Sequence, residues 1–212
     1  MRLTFAQAQS RMKDYLVAAY KLTPNAPTLL EARDALLAAA YARDITDFSR
    51  FATAFAKRGA GTGAIAPDRF SATNVGVTES YVTGGDLTFT AKSLVMDLRD
   101  CDGDGRLDNG EMGRVVVTLR NTGTISLANA RVTLSSTNPH VSFPQGATVR
   151  LSPVNPYQSA TTYCVVAFNG ATTAEVLDLT ATVTEPALVG TNRVSTLYAY
   201  ANADDGPSGN ET

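Results

Sequence analysis

The chain has 212 residues, 44% apolar and 18% charged, with 18 Lys+Arg against 20 Asp+Glu and a single His. That apolar fraction excludes a wholly disordered chain, and the net charge of −2 speaks against a dedicated nucleic-acid binder. One histidine cannot build an HExxH helix, a His₂Glu zinc site or a C₂H₂ finger.

The averages hide a seam. Residues 1–66 hold 17 Ala, one Val and six Thr, whereas residues 67–212 hold 17 Val and 21 Thr. Ala favours helix; Val and Thr are stiff at χ1 and fit pleated sheet. Charge splits at the same place, +4 before it and −6 after it. The Gly-rich stretch GAGTGAIAPD (residues 59–68) reads as the linker.

Three helices are expected before it. The first covers about 4–20, with Phe5, Ala8, Met12, Leu16 and Ala19 as its apolar stripe. The second opens at Thr28-Leu29-Leu30-Glu31, the spacing of a capping box, and continues its face through Ala32, Leu36, Leu37 and Ala40. The third covers about 46–58 and presents Phe48, Phe51, Ala52 and Phe55. Lys57 and Arg58 suit the negative end of its dipole, and Gly59 suits a left-handed C-cap. About sixty residues of short helix form a small core, so these helices call for a partner surface.

Two strings in this part carry a resemblance. APTLLEARDALLAAA (26–40) and FATAFAKRGAGTGA (51–64) resemble the end of the catalytic domain of fungalysin-type zinc metallopeptidases. That family has an NPTF-x-x-ARDAIL helix followed by a W-x-AFA-x-RGLG helix. Pro27-Thr28, Ala32-Arg33-Asp34-Ala35 and Ala54-Phe55-Ala56-Lys57-Arg58-Gly59 match; Thr53 and Ala60 depart from it. RFSATNVGVTESY (69–81) is similar to the stretch that follows in bacterial relatives, so the resemblance covers roughly residues 1–81.

The resemblance implies an extracellular protein and zinc in the full-length family. It also implies that the HExxH region and third zinc ligand lie upstream of residues like these, so this chain binds no zinc and is inactive alone. The missing part of a catalytic domain is then the expected partner, and exposure of Phe48, Phe51, Leu36 or Leu37 would mark its absence. No signal-peptide pattern is read in MRLTFAQAQSRMKDYL, and no run of eighteen apolar residues suggests a membrane span.

The second part reads as strands at about 73–80, 87–96, 113–120, 129–135, 147–151, 161–168, 173–184 and 193–200, with turns between them. Seven or eight short strands point to an antiparallel Ig-like β-sandwich. Within it, DCDGDGRLDNGE (100–111) fits the calcium loop D-x-D-x-D-G-x-x-x-x-x-E at every required position. Asp100, Asp102 and Asp104 take positions 1, 3 and 5, and Gly105 the sharp turn. The Arg106 carbonyl takes position 7, Asp108 position 9 and Glu111 the bidentate position 12. Leu107 is the inward hydrophobe. β-forming flanks exclude an EF-hand and favour a structural calcium between strands. The competing reading is a solvated acidic turn.

Cys101 and Cys164 are the only cysteines, and an extracellular setting favours a bridge between them. His140 reads as a surface residue, and Gly59-x-Gly61-x-Gly63 lacks the strand and helix of a dinucleotide site.

The resulting expectation has three parts: a helical remnant of a metallopeptidase catalytic domain (1–66), a calcium-binding sandwich (67–203) and a flexible tail (204–212). The function expected is a non-catalytic C-terminal portion of a secreted metalloendopeptidase. The alternative is a stand-alone extracellular, calcium-stabilised module that binds a protein or polysaccharide surface. An active hydrolase of unrecognised chemistry is a third class.

Overall fold

The computed structural model describes residues 3–203. The expected tail, 204–212, lies outside the described residues. Three helices, α1 (Phe5–Leu22), α2 (Leu29–Arg43) and α3 (Ile45–Ala56), precede eight strands.

Each helix begins on a side-chain cap. Thr28 and Glu31 form the expected box around the start of α2, and Thr4 and Gln7 form a second one at α1. Asp44 accepts from the backbone N–H of Thr46 (2.8 Å) and Asp47 (3.2 Å) to start α3. These bonds satisfy N–H groups that have no intrahelical acceptor. At the far end of α3, Gly59 adopts φ 81°. Its N–H reaches Ala56 O and the Ala60 N–H reaches Phe55 O, both at 3.0 Å. This is the Schellman stop that a glycine at that position foretells.

The buried face of α1 differs from the expected stripe. Phe5 is 83% exposed, Ala8 and Met12 are also exposed, and Leu16 is half-buried; the buried residues are Tyr15 and Ala19. Polar partners at the start of α3 draw this face in. Tyr15 Oη donates to Asp47 Oδ2 (2.9 Å), and Arg11 pairs with Asp44 and with Asp47 (2.9 Å). A polar residue is tolerated inside when its hydrogen bonds are made. Phe48 and Leu37 are buried and Phe51 and Leu36 half-buried, so the exposure expected at these four residues if a partner surface were missing does not occur.

The strand expected at 73–80 does not form. Thr78 makes a single bridge to Ile65 and Ser80 one to Ala60. Gly61 N–H donates to Ser80 O and Thr62 N–H to Val82 O, which holds 78–82 against the chain after α3. One compact unit therefore runs to Asp86 and takes in Thr122–Ile125; the other comprises Leu87–Asn121 and the chain from Ser126 onward. The division falls about twenty residues later than the expected linker.

The second unit is a sandwich of β1 (Leu87–Arg99), β2 (Glu111–Asn121), β3 (Arg131–Ser135), β4 (Val141–Ser142), β5 (Thr148–Arg150), β6 (Ser159–Phe168), β7 (Glu175–Thr184) and β8 (Arg193–Ala201). One sheet has the order β1-β2-β6-β4 and the other β5-β3-β7-β8, and every pairing is antiparallel. This is the ABED/CFG arrangement of an Ig-like sandwich with β5 as an extra short edge strand. Inward residues alternate along β2 and β7, and Leu119, Phe168, Leu177 and Val183 are among the fully buried ones. Lys92 Nζ on β1 reaches Ser195 Oγ (2.6 Å) and Thr196 O (2.7 Å) on β8, joining the sheets along one edge.

Candidate metal centre

The β1–β2 connection is the acidic loop, and it is flanked by strands, as the sequence implies. Asp100, Asp102 and Asp104, the latter two exposed, each offer one carboxylate oxygen, and these oxygens lie within 4.8 Å of one another. Local bonds set this up. Gly103 N–H donates to Asp100 Oδ1 (2.7 Å), Asp104 N–H to Asp102 Oδ1 (3.1 Å) and Arg106 N–H to Asp104 Oδ1 (2.7 Å). Gly103 and Gly105 adopt φ 79° and 78°, the left-handed turns that let a short loop fold back on itself. At that spacing each carboxylate pair repels by roughly 1 kcal/mol even at water's dielectric constant. A cation would reverse that term. An all-oxygen triplet is the donor set of a hard ion such as calcium and not of zinc.

The other loop residues are placed differently. Arg106 lays its guanidinium against Asp104 (3.3 Å), and Leu107 is fully buried. Glu111 is 1% exposed; its carboxylate accepts from Asp108 N–H (3.0 Å) and from Cys101 N–H. Asp108 is buried and accepts from Asn202 N–H. Positions 9 and 12 thus lie outside the triplet, oriented by backbone donors.

Asn109 and Asn202 complete the surroundings of the loop, and neither stands out in the sequence. Asn109 N–H donates to Asn202 Oδ1 (3.0 Å), and the Asn109 side chain makes two bonds to the backbone of Ala171 (2.6 and 3.0 Å). Ninety-three residues separate Asn109 from Asn202, so no local pattern could announce the pair.

The expected disulfide is absent: Cys101 is an exposed free thiol and Cys164 a buried one. Cys164 sits opposite Val115, four positions along β2 from Glu111. At the strand rise this is about 13 Å from the loop end, beyond the ~7 Å a bridge can span between Cα atoms. Burial pushes the Cys164 thiol above its ordinary value, so it serves as core filler.

His140 does not fit a zinc site. Its Nδ1 lies 3.0 Å from Glu175 Oε2, and its ring packs edge-on to Phe168 at 5.9 Å. The His140 contact, and next the Asn138 amide, hold the Glu175 carboxyl below the usual range. One imidazole and one carboxylate fall short of the three protein ligands a catalytic zinc needs.

In the helical unit, the two family-like strings meet through one side chain. Arg33 of the ARDA string donates to the carbonyls of Ala60 and Gly61, both at 2.9 Å, just past the AFAKRG string. Residues 4–64 match the Fungalysin metallopeptidase (M36) family. This fungalysin-like segment holds all three helices and the Arg33 contact, and the family is one of metallopeptidases. The sandwich lies outside the matched residues.

No curated protein matches the chain. Among solved structures, the sandwich is similar to two forms of Escherichia coli alpha-2-macroglobulin. They share 11% and 12% identity, each with TM-score 0.41 over 55% and 57% of this chain, which spans only 7% and 17% of theirs. The CARDB domain of the Pyrococcus furiosus PF1109 protein, solved with di-metal ions, shares 16% identity over 57% of this chain and 94% of its own, with TM-score 0.39. Among the described residues no helix is long and apolar enough to cross a membrane.

Proposed function

We propose that the chain is a non-catalytic portion of a secreted, fungalysin-like zinc metalloendopeptidase whose β-sandwich is stabilised by a structural calcium ion in the β1–β2 loop. The observation that carries the reading is the convergence of Asp100, Asp102 and Asp104 at positions 1, 3 and 5 of a complete calcium-loop pattern. The Arg106 carbonyl, Asp108 and Glu111 are the remaining ligands of the proposal. The family match over residues 4–64 supports the peptidase lineage, and the single histidine supports the absence of catalysis. Zinc belongs to the full-length enzyme in this reading. The missing part of a catalytic domain is the proposed partner of the helical unit, whose Phe5, Val17 and Tyr20 are exposed.

Calorimetry and thermal melting test the calcium. An extracellular-type site with Kd of ~10⁻⁴–10⁻³ M gains about 0.6–1.8 kcal/mol at ~2 mM calcium. That is a Tm rise of roughly 2–6 °C for a chain this size. Asp104→Ala should abolish it. No heat and no shift at millimolar calcium would remove the site. Casein incubated with the chain, zinc and calcium should remain intact; cleavage would refute the non-catalytic reading.

A second reading, an extracellular binding module, has its own observation. Tyr198 and Tyr200 are exposed on the outer face of β8, and Val176 stands opposite Tyr200. Retention on insoluble polysaccharide, lost in Tyr198→Ala, would favour it.

A further inference from the structure

The turn Asp108–Glu111 touches three separate parts of the sandwich. Gly110 N–H donates to Phe168 O at the end of β6 (2.9 Å), and Asn109 clamps Ala171 in the β6–β7 turn. Asn202, one residue past β8, gives its N–H to Asp108 Oδ1 and accepts from Asn109 N–H. Because β6 and β8 belong to opposite sheets, the turn ties both sheets together at this end.

Asn202 is the unusual member. It is 2% exposed, adopts φ 47°, and its Nδ2 is buried with no hydrogen-bond partner among the described residues. A buried amide donor left unmet is costly and persists only where other contacts dictate the residue's place. Here those contacts are the two bonds to positions 9 and 10 of the acidic loop.

We propose that Asn202 is a positioning residue for the calcium loop and couples ion occupancy to the docking of the end of β8. The inference rests on the calcium reading above. The Asn202 Oδ1 holds the Asn109 N–H and so fixes the turn from which Asp108, the position-9 ligand of the proposal, reaches toward the ion directly or through water. Outer partners of this sort typically govern metal affinity by 10–100-fold. Coupling is reciprocal: whatever Asn202 adds to calcium affinity, calcium adds to the docking of Asn202. Occupancy would thereby control how firmly the last strand is held.

The test uses the full chain with calcium chloride or a chelator. Asn202→Gly keeps the left-handed backbone and the N–H to Asp108 but removes the acceptor for Asn109. It should weaken calcium binding by about tenfold or more in calorimetry. Its Tm should fall further below wild type in calcium than in chelator. A merely structural role would lower both equally, and that result overturns the proposal, as does unchanged affinity. Should the variant fail to fold, amide exchange in the wild type decides. Calcium should slow exchange at residues 197–202 more than at 132–134, and uniform slowing overturns the coupling. Wild type that takes up no calcium overturns the calcium reading and the coupling with it. Wild type that binds, beside a glycine variant that binds equally well, overturns the coupling alone.

Discussion

In the helical unit the large helix side chains with almost no exposure are Tyr15, Leu37 and Phe48, and alanines fill the other buried apolar positions of the helices. In the sandwich, Leu87, Leu119, Leu134, Phe168, Leu177 and Leu179 are fully buried in one continuous core with several valines. The first unit has little apolar area to bury and supplements it with caps and charge pairs. The second relies on burial, and its polar bonds concentrate where loops and sheets must be joined. A chain can thus contain one region whose stability follows apolar volume and another in which local polar geometry carries a larger share.

Removing apolar volume gives the largest expected effects. Phe48→Ala should cost about 3–5 kcal/mol and Leu119→Ala about 2–5 kcal/mol in denaturant unfolding. The contrast sharpens if Phe48→Ala loosens amide exchange throughout the three helices, since few other large residues hold them. It breaks if Phe48→Ala costs under ~1 kcal/mol.

The polar terms should be smaller. Tyr15→Phe removes a buried hydroxyl bonded to Asp47, and about 1 kcal/mol should be lost. Thr28→Ala should cost about 1 kcal/mol through the α2 cap. A cap variant without effect would mean that helix packing alone sustains the unit.

Acid gives the finest test. The backbone N–H of Asp47, and next the Arg11 guanidinium, hold the Asp44 carboxyl below its ordinary 3.8. The Thr28 N–H holds Glu31 below 4.5. A carboxyl depressed by folding stabilises fully above its unfolded value, and the contribution disappears as pH falls through the lower folded value. Helical circular dichroism should therefore decline below ~pH 4, and Asp44→Asn should flatten that decline. An unchanged profile would show that these caps contribute little.

Local chemistry explains which features were legible. The Thr28–Glu31 box and the Gly59 stop are written within a few residues, because the bonds they make are equally local. Alternation in β2 and β7 is legible because each has one face on a common core. The acidic loop is legible because its Asp100, Asp102 and Asp104 alternate within five residues, and one carboxylate oxygen of each lies within 4.8 Å of the others.

What failed was non-local. The inward face of α1 depends on Asp44 and Asp47, about thirty residues away, so an apolar stripe alone pointed to the wrong side. Residues 73–80 have β-forming composition but only single bridges to Ile65 and Ala60, too few for a strand. Strand β4 has two residues and no period to read. The cysteine pair was paired by compartment, while register decides where Cys164 stands.

By itself the sequence determined the split into helical and β-forming parts, the fungalysin likeness of the first and the acidic loop of the second. Composition, caps and ligand spacing are properties of neighbouring residues, and they survive whatever the rest of the chain does. Only the tertiary structure decided where the compact units divide, which face of α1 is inside, and that Cys101 and Cys164 stand apart. It alone placed Asn202 against Asp108 and Asn109, because contacts between distant residues are selected by the packing of the whole sandwich.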